Sequence, residues 1–355
     1  MKFVIVKLKN AIIPFCICVF TLFLVVYSKD NLLAVKNGLV LWAISVVPSL
    51  FPFFIATELF SYTNIIPFIG KLLNKLMKPI FNVPGIGSFA LIMGFLSGYP
   101  VGAKIVSNFK TQGLCSNIEC ERLIAFTNNS GPLFIIGTVG ISMFGSQQIG
   151  LKLFVVHLLS SILVGFLFRW WKNPKSTFKK YSFNKRANGE DKSYLLLRNH
   201  IDVNVSDNPK NKVTFYNLGE VLSFCIQSAI NSILTIGGFI LLFSVIVSML
   251  TSSQLLNILS CFINPILNVF HIPTPYSNGI VVGLIEVTNG IKLVSNNYSN
   301  ISIIICSFLL GFGGISVLLQ VLSITSKAKI SIKPYIIGKL LQGFFSAVLM
   351  WILIR

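Results

Sequence analysis

Residues 94–107, Gly-Phe-Leu-Ser-Gly-Tyr-Pro-Val-Gly-Ala-Lys-Ile-Val-Ser, lie between apolar runs but cannot form an ordinary spanning helix. Gly94, Gly98 and Gly102 recur every four residues, which puts small residues on one helical face and lets another backbone approach. Pro100 removes a backbone donor and clashes with the preceding turn, so the helix must break near Gly98–Pro100. Lys104 follows at the end of the apolar sequence. The setting is a membrane: 54% of residues are hydrophobic and 11% charged, with mean hydropathy +0.79, against roughly 25% charged residues in soluble domains. Broken backbone at membrane depth is tolerated only where it is buried in protein or lines a cavity, so a site is expected here.

The charge balance is basic, 29 Lys and Arg against 10 Asp and Glu. The positive-inside rule and anionic lipid account for it. No soluble basic module that would take nucleic acid is present. The seven cysteines form no Cys-x-x-Cys and histidine is scarce, so no metal site, redox site or cofactor is expected. No His-Glu-x-x-His, Gly-x-Ser-x-Gly or phosphate-binding glycine loop occurs, and no catalytic residue is assigned. Lys2, Lys7 and Lys9 precede an apolar run over residues 11–27. The run is long for a signal peptide and lacks a small-x-small cleavage site, so residues 1–30 read as a retained transmembrane helix with a cytoplasmic N-terminus.

Residues 31–171 then hold five features in order. A span over 38–60 carries Pro48, Pro52 and Glu58, and an interfacial helix over 65–81 shows Lys71, Lys75 and Lys78 on one face. The broken stretch 85–104 follows. Ser116-x-x-Glu119, a capping box, starts a helix interrupted at Asn128-Asn-Ser-Gly-Pro132. The span 149–171 closes on Trp170-Trp171. Residues 172–213, with ten Lys or Arg, read as a solvated cytoplasmic loop. Residues 214–355 repeat the pattern: a span to Leu250, an amphipathic segment 254–271, a stretch with Glu286-Val-Thr-Asn-Gly290, a span interrupted at Gly311-Phe-Gly-Gly314, and a last span over 335–354. Pro79-Ile-Phe-Asn-Val83 matches Pro265-Ile-Leu-Asn-Val269, and Gly102-Ala-Lys-Ile-Val-Ser107 matches Gly290-Ile-Lys-Leu-Val-Ser295. Phe126 to Gly131 matches Phe308 to Gly313, and Lys152-Leu153 matches Lys339-Leu340, all at offsets of 182 to 188 residues.

Charge fixes the sense of the repeat. With the loop 172–213 inside, counting back puts both ends of 85–104 inside, so that stretch must enter and return, turning near Gly98-Tyr99-Pro100. Counting forward puts 254–271 outside, where the counterparts of Lys71, Lys75 and Lys78 are Asn257, Cys261 and Asn264. Losing its lysines is what an inverted copy predicts. The expected fold is an all-α polytopic membrane protein of inverted-topology repeats, with two re-entrant segments, two interrupted helices and seven crossings. Were 85–104 a true crossing, the Lys71 helix would lie outside, against its charge.

Pro48-Ser-Leu-Phe-Pro-Phe-Phe54, Ser97-Gly-Tyr-Pro-Val-Gly-Ala-Lys104, Glu121-Arg-Leu123, Asn128-Asn-Ser-Gly-Pro-Leu-Phe134 and Glu286-Val-Thr-Asn-Gly290 resemble the YlbJ-type sporulation integral membrane proteins, over roughly 11–355. That family belongs with the nucleoside-recognition or Gate proteins, which include concentrative nucleoside transporters. The resemblance implies a multi-pass protein of the cell membrane with a role in sporulation and spore cortex formation. It implies no established substrate, since fold does not settle cargo.

Glu286 is the strongest site candidate, because an ionisable group at membrane depth is a functional hypothesis by default. Lys104 or the Asn128 and Asn129 amides are its expected partners. Asn128, Asn129 and Ser130 sit beside a helix break, where free polar groups coordinate ions or solutes. Thr288 and Asn289 belong to the second tip and complete the expected binding set. Ser97, Gly98, Tyr99, Pro100 and Gly102 at the first tip are expected to gate. The expected partners are the lipid bilayer, a small polar solute or ion, and other sporulation membrane proteins or a second copy. The contrasting reading is a membrane scaffold that moves nothing.

Overall fold

The computed structural model describes residues 2–63, 73, 75–172 and 216–355. Most of the interfacial segment 65–81, including Lys71, and nearly all of the loop 172–213 lie outside the described residues. Within them the chain is helical, without strands. Four helices are long and apolar enough to cross a membrane: Gln147–Phe168, Leu218–Ser252, Asn300–Lys327 and Lys333–Ile354. A fifth candidate is the pair Pro14–Val26 and Ser28–Ile44, bent by 93°.

The order of elements in 28–168 recurs in 218–354. A long helix, α2 (Ser28–Val40) continued by a π-helical stretch into α3 (Val47–Ser61), follows α1 (Lys2–Val26). Residues 75–81 form the described part of α4. A helical hairpin comes next, α5 (Gly87–Ser97) and α6 (Val101–Thr111). Then α7 (Asn117–Thr127) breaks before the π-helical segment Phe134–Met143, and α8 (Gln147–Phe168) closes the half. In the second half these become α9 (Leu218–Ser252), α10 (Leu255–Val269), the hairpin α11 (Ser277–Ile285) and α12 (Val287–Ser295), the broken pair α13 (Asn300–Phe312) and α14 (Gly314–Lys327), and α15 (Lys333–Ile354).

The breaks follow from the residues. Gly98, Gly313 and Gly314 have φ of 76°, 86° and 82°, a region cheap only for glycine. At the first break Gly131 precedes Pro132, which disfavours the α conformation before it and starts the next helix without a donor to lose. The capping box at α7 is present: Glu119 N donates to Ser116 Oγ at 3.3 Å and Ser116 N donates to Glu119 Oε2 at 2.7 Å.

Small residues bring the hairpins and breaks together. A Cβ on Gly94 would stand 1.7 Å from the Thr127 carbonyl oxygen, and one on Gly102 2.3 Å from the same atom. The end of α7 is thus wedged between the arms of the first hairpin. In the second hairpin Gly283 and Gly290 meet backbone to backbone, with a Cβ on Gly290 only 2.0 Å from Gly283 Cα. Each hairpin tip rests on the break of its own half, Gly98 on Gly131 and the Gly283–Val287 backbone on Gly314. Each hairpin also reaches across, α6 against α14 and α12 against the Phe134–Met143 segment. The two largest hydrophobic clusters among the described residues follow this exchange. One joins Phe134, Val139 and Leu153 to Ile280, Ile291 and Leu309; the other joins Val106, Leu123 and Phe126 to Val317, Val321 and Tyr335.

Gly237 and Gly238, adjacent in α9, do different things. Gly237 admits the Trp42 ring, 2.7 Å from where a Cβ would stand, and Trp42 Nε1 donates to the Ile233 carbonyl at 3.1 Å. Gly238 faces open space. Gly94→Ala is therefore expected to destabilise the protein by about 3 kcal/mol or more through overpacking against backbone. Gly238→Ala should stabilise by about 0.5–1 kcal/mol through helix propensity. Thermal unfolding of the purified variants checks both.

Candidate binding site

The two hairpin tips, the two breaks and the two long helices meet around a cavity of about 60 Å³. The first tip supplies Ser97, Gly98 and Tyr99, and the first break supplies Ser130 and Gly131. The second tip supplies Glu286, Val287 and Thr288; beyond the second break come Ser316, Val317 and Gln320. Val46, Leu50 and Phe54 of the first long helix and Ile236, Phe239 and Ile240 of α9 form the apolar wall with Phe134. Drug-sized ligands occupy pockets of roughly 300–1,000 Å³. At about 60 Å³ this conformation has room for an ion or a few water-sized groups.

Glu286, 3% exposed, caps α12. Its Oε1 accepts from Thr288 N at 3.0 Å and its Oε2 from Asn289 N at 2.7 Å. This satisfies two orphan donors of the helix start and places an acidic group at its positive end. A carboxylate has about four acceptor sites, so capacity remains on the cavity side. The expected partners do not reach it. Lys104 is exposed and interacts electrostatically with Glu58 instead, and Lys292 is exposed. Among the described residues no cation lies within ion-pair distance of Glu286; the ion pair found is Lys172 with Glu121, at 2.9 Å.

The other candidates divide. Tyr99 Oη and Ser130 Oγ share a short hydrogen bond between the first tip and first break. The Tyr99–Pro100 peptide is cis. Pro100 and Gly102 do not line the cavity; Gly102 packs behind the tip on Thr127 and Asn128. Asn128 and Asn129 do not line it either. Asn128 Oδ1 accepts from Ala103 N at 3.3 Å and its Nδ2 donates to Tyr335 Oη at 3.3 Å. Asn129 Nδ2 donates to the Phe126 carbonyl at 2.7 Å and to Ser161 Oγ at 3.2 Å. Asn289 Nδ2 donates to Ser244 Oγ at 2.9 Å, tying the second hairpin to α9. These amides fix the frame while Glu286, Ser130 and Thr288 face the cavity.

Sequence reasoning missed two groups. Ser316 and Gln320 line the cavity, and with Ser97 their side-chain polar atoms make no hydrogen bond among the described residues. The signal for Gln320 was present, a lone amide in an apolar span, but nothing in the sequence said which way it faces. The second group is buried beside Asn129: Lys339, 1% exposed, with His157, Ser160, Ser161, Gln342 and Ser346. Ser130 N donates to His157 Nε2 at 3.3 Å, and Gln342 Nε2 donates to Asn129 Oδ1 at 2.9 Å.

The family described as Gate, nucleoside recognition, matches residues 43–147, a range that holds the first hairpin and first break. Over 349 residues the sequence is 35% identical to the sporulation integral membrane protein YlbJ of Bacillus subtilis (strain 168), covering 98% of this chain and 83% of that protein. The chain belongs to the YlbJ family of sporulation integral membrane proteins. No solved structure matches it. In this YlbJ-family chain the Gate match covers one half of the cavity, and the parts contributed by α9, by Glu286 with the start of α12, and by α14 lie outside the matched range.

Frame and cavity residues should separate on mutation. Asn129→Ala leaves Lys339 and Gln342 facing a vanished acceptor, and removing one partner of a buried charged network costs about 3–5 kcal/mol. Ser130→Ala loses one hydroxyl bond, about 1 kcal/mol. Thermal unfolding should rank Asn129→Ala well below Ser130→Ala.

Proposed function

We propose that this protein is a transporter or permease-like member of the sporulation machinery that moves a small polar solute or ion and supports spore cortex formation. The observation that carries the reading is the cavity itself. A buried carboxylate without a cation, and three polar side chains without partners, meet where two hairpin tips and two helix breaks converge. Unpaired polar groups gathered around one space, rather than scattered singly through packed core, are what a polar ligand would satisfy, and each such group costs about 1–3 kcal/mol when nothing does. In this reading Glu286, Thr288, Ser130, Ser316 and Gln320 contact the solute. Ser97, Gly98 and Tyr99 close over it, and Asn128, Asn129 and Asn289 hold the frame. Val46 and Phe134 lie in π-helical stretches at the cavity wall, a geometry frequent at functional sites.

The two halves are inverted repeats in this reading. Residues 1–30 form a leading helix, 31–171 and 214–355 the two Gate-like halves, and 172–213 a cytoplasmic loop. Both hairpins re-enter the membrane from opposite sides, and the bent and interrupted helices complete seven crossings. The recurrence of element order and the exchange of hairpins between cores support it. So does the contrast between exposed Lys75 and Lys78 in α4 and the absence of any charged residue in α10.

Gln320→Leu and Ser97→Ala test transport against the scaffold reading. Neither side chain holds the fold together, so both variants should accumulate at wild-type levels, yet fail to restore spore cortex to a strain lacking the gene. Normal cortex with both variants would favour a scaffold. For topology, an impermeant thiol reagent should reach Lys75→Cys and the exposed native Cys261 from opposite sides, with Cys16 and Cys18 replaced by serine. Labelling from the same side would end the inverted arrangement.

A further inference from the structure

Lys339 presents a problem that the cavity does not explain. Its side chain is 1% exposed and lies within the last helix, yet no carboxylate is within ion-pair distance among the described residues. Its Nζ donates to Gln342 Oε1 at 2.8 Å and to Asn129 Oδ1 at 3.4 Å, and stands 6.0 Å from the Tyr335 ring. The ligands are two amide oxygens and an aromatic face, the set that receives a monovalent cation. The placement agrees. Asn129 follows the last turn of α7, whose C-terminal end carries the negative end of the helix dipole and favours positive charge. Gly338 lets α15 press onto that turn, with a Cβ there only 2.5 Å from the Ala125 carbonyl oxygen. Broken helices of transporters bind cations at such ends.

The other half supplies a comparison. By repeat order the counterpart of Lys339 is Lys152, and the counterpart of the Asn128–Gly131 break is the glycine break at 313–314. That break offers no side-chain amide, and Lys152 is exposed. Where the amide acceptors are missing the lysine turns outward; where they are present it is buried among them.

We propose that Lys339 is a tethered cation: its ammonium permanently fills a monovalent-cation site at the first helix break, and removing it uncovers that site for a free alkylammonium ion. The tethered charge holds Asn129 in place and with it Ser130 and Gly131 at the cavity wall. This inference rests on the packing of the break and is independent of whether the cavity transports anything.

The test is thermal unfolding of the purified full-length protein with n-propylammonium chloride or, at equal ionic strength, tetramethylammonium chloride, which has no N–H to donate. A ligand that binds only the folded state raises its Tm by mass action, whatever the access route. Lys339→Ala should lose on the order of 10 °C and regain much of it in n-propylammonium alone, while the wild type responds equally to both salts. Lys339→Gln, a neutral donor, should be as impaired as Lys339→Ala. Wild-type stability of Lys339→Gln, or a Lys339→Ala protein that responds to the two salts alike, overturns the proposal. Should Lys339→Ala not accumulate, Asn129→Asp carries the test. Its lost Nδ2 bonds to Phe126 and Ser161 are common to every background, so the comparison is with Asn129→Asp made in Lys339→Gln. Beside a cation the new carboxylate is compensated, so Asn129→Asp should cost less stability in the wild type than in Lys339→Gln; an equal or greater cost beside Lys339 also overturns the proposal.

Discussion

The structure depends on satisfying helix ends that lie inside the protein rather than at its surface. Two helical hairpins and two broken helices place helix termini near the centre, and each terminus leaves up to four backbone groups without partners. They are buried from bulk solvent, so side chains and close backbone contacts take them. Glu286 takes the donors at the start of α12. The Thr127 carbonyl at the end of α7 is received between Gly94 and Gly102. Asn128 accepts from the first turn of α6. The glycines that look like flaws in a spanning helix are what let these ends approach one another.

That requirement makes the centre polar and sets an acid and an amine at separate places. A carboxylate sits at a positive helix end on the second tip, and an amine sits near a negative helix end on the first break. Neither has an ionic partner among the described residues. Between them stands the Tyr99–Ser130 bond, which links the first tip to the first break beside the cavity. A shift of the first tip would change the cavity and the break together.

Much of the frame was legible in the sequence because it is written in residues with strong local physics. Gly98 and Pro100 marked the first turn, Gly313 and Gly314 the second break, and Ser116 with Glu119 a helix start; all three lie where the pattern put them. Glu286 was legible as an acid in apolar surroundings, though not as a helix cap, because capping depends on where the second hairpin turns. The roles of Asn128 and Asn129 were not legible. Both carry amides beside a break, and only the packing of α15 decides that they face Tyr335, Lys339 and Gln342 rather than the cavity. Lys339 itself was hidden by its match to Lys152. Equal residues at equivalent repeat positions suggest equal surroundings, and here one is exposed and the other buried.

In the proposed reading the space between the two halves is a working compartment and not a packing defect. Ser316 lines it without a hydrogen bond of its own, so Ser316→Cys is a small change at the right place. In vesicles of protein whose exposed Cys16, Cys18 and Cys261 are serine, the rate at which a small charged methanethiosulfonate reagent modifies this cysteine can be measured from each side. Modification from both sides, by a protein that stays folded, is the result the account predicts. A cysteine at 316 that reacts from neither side would contradict it.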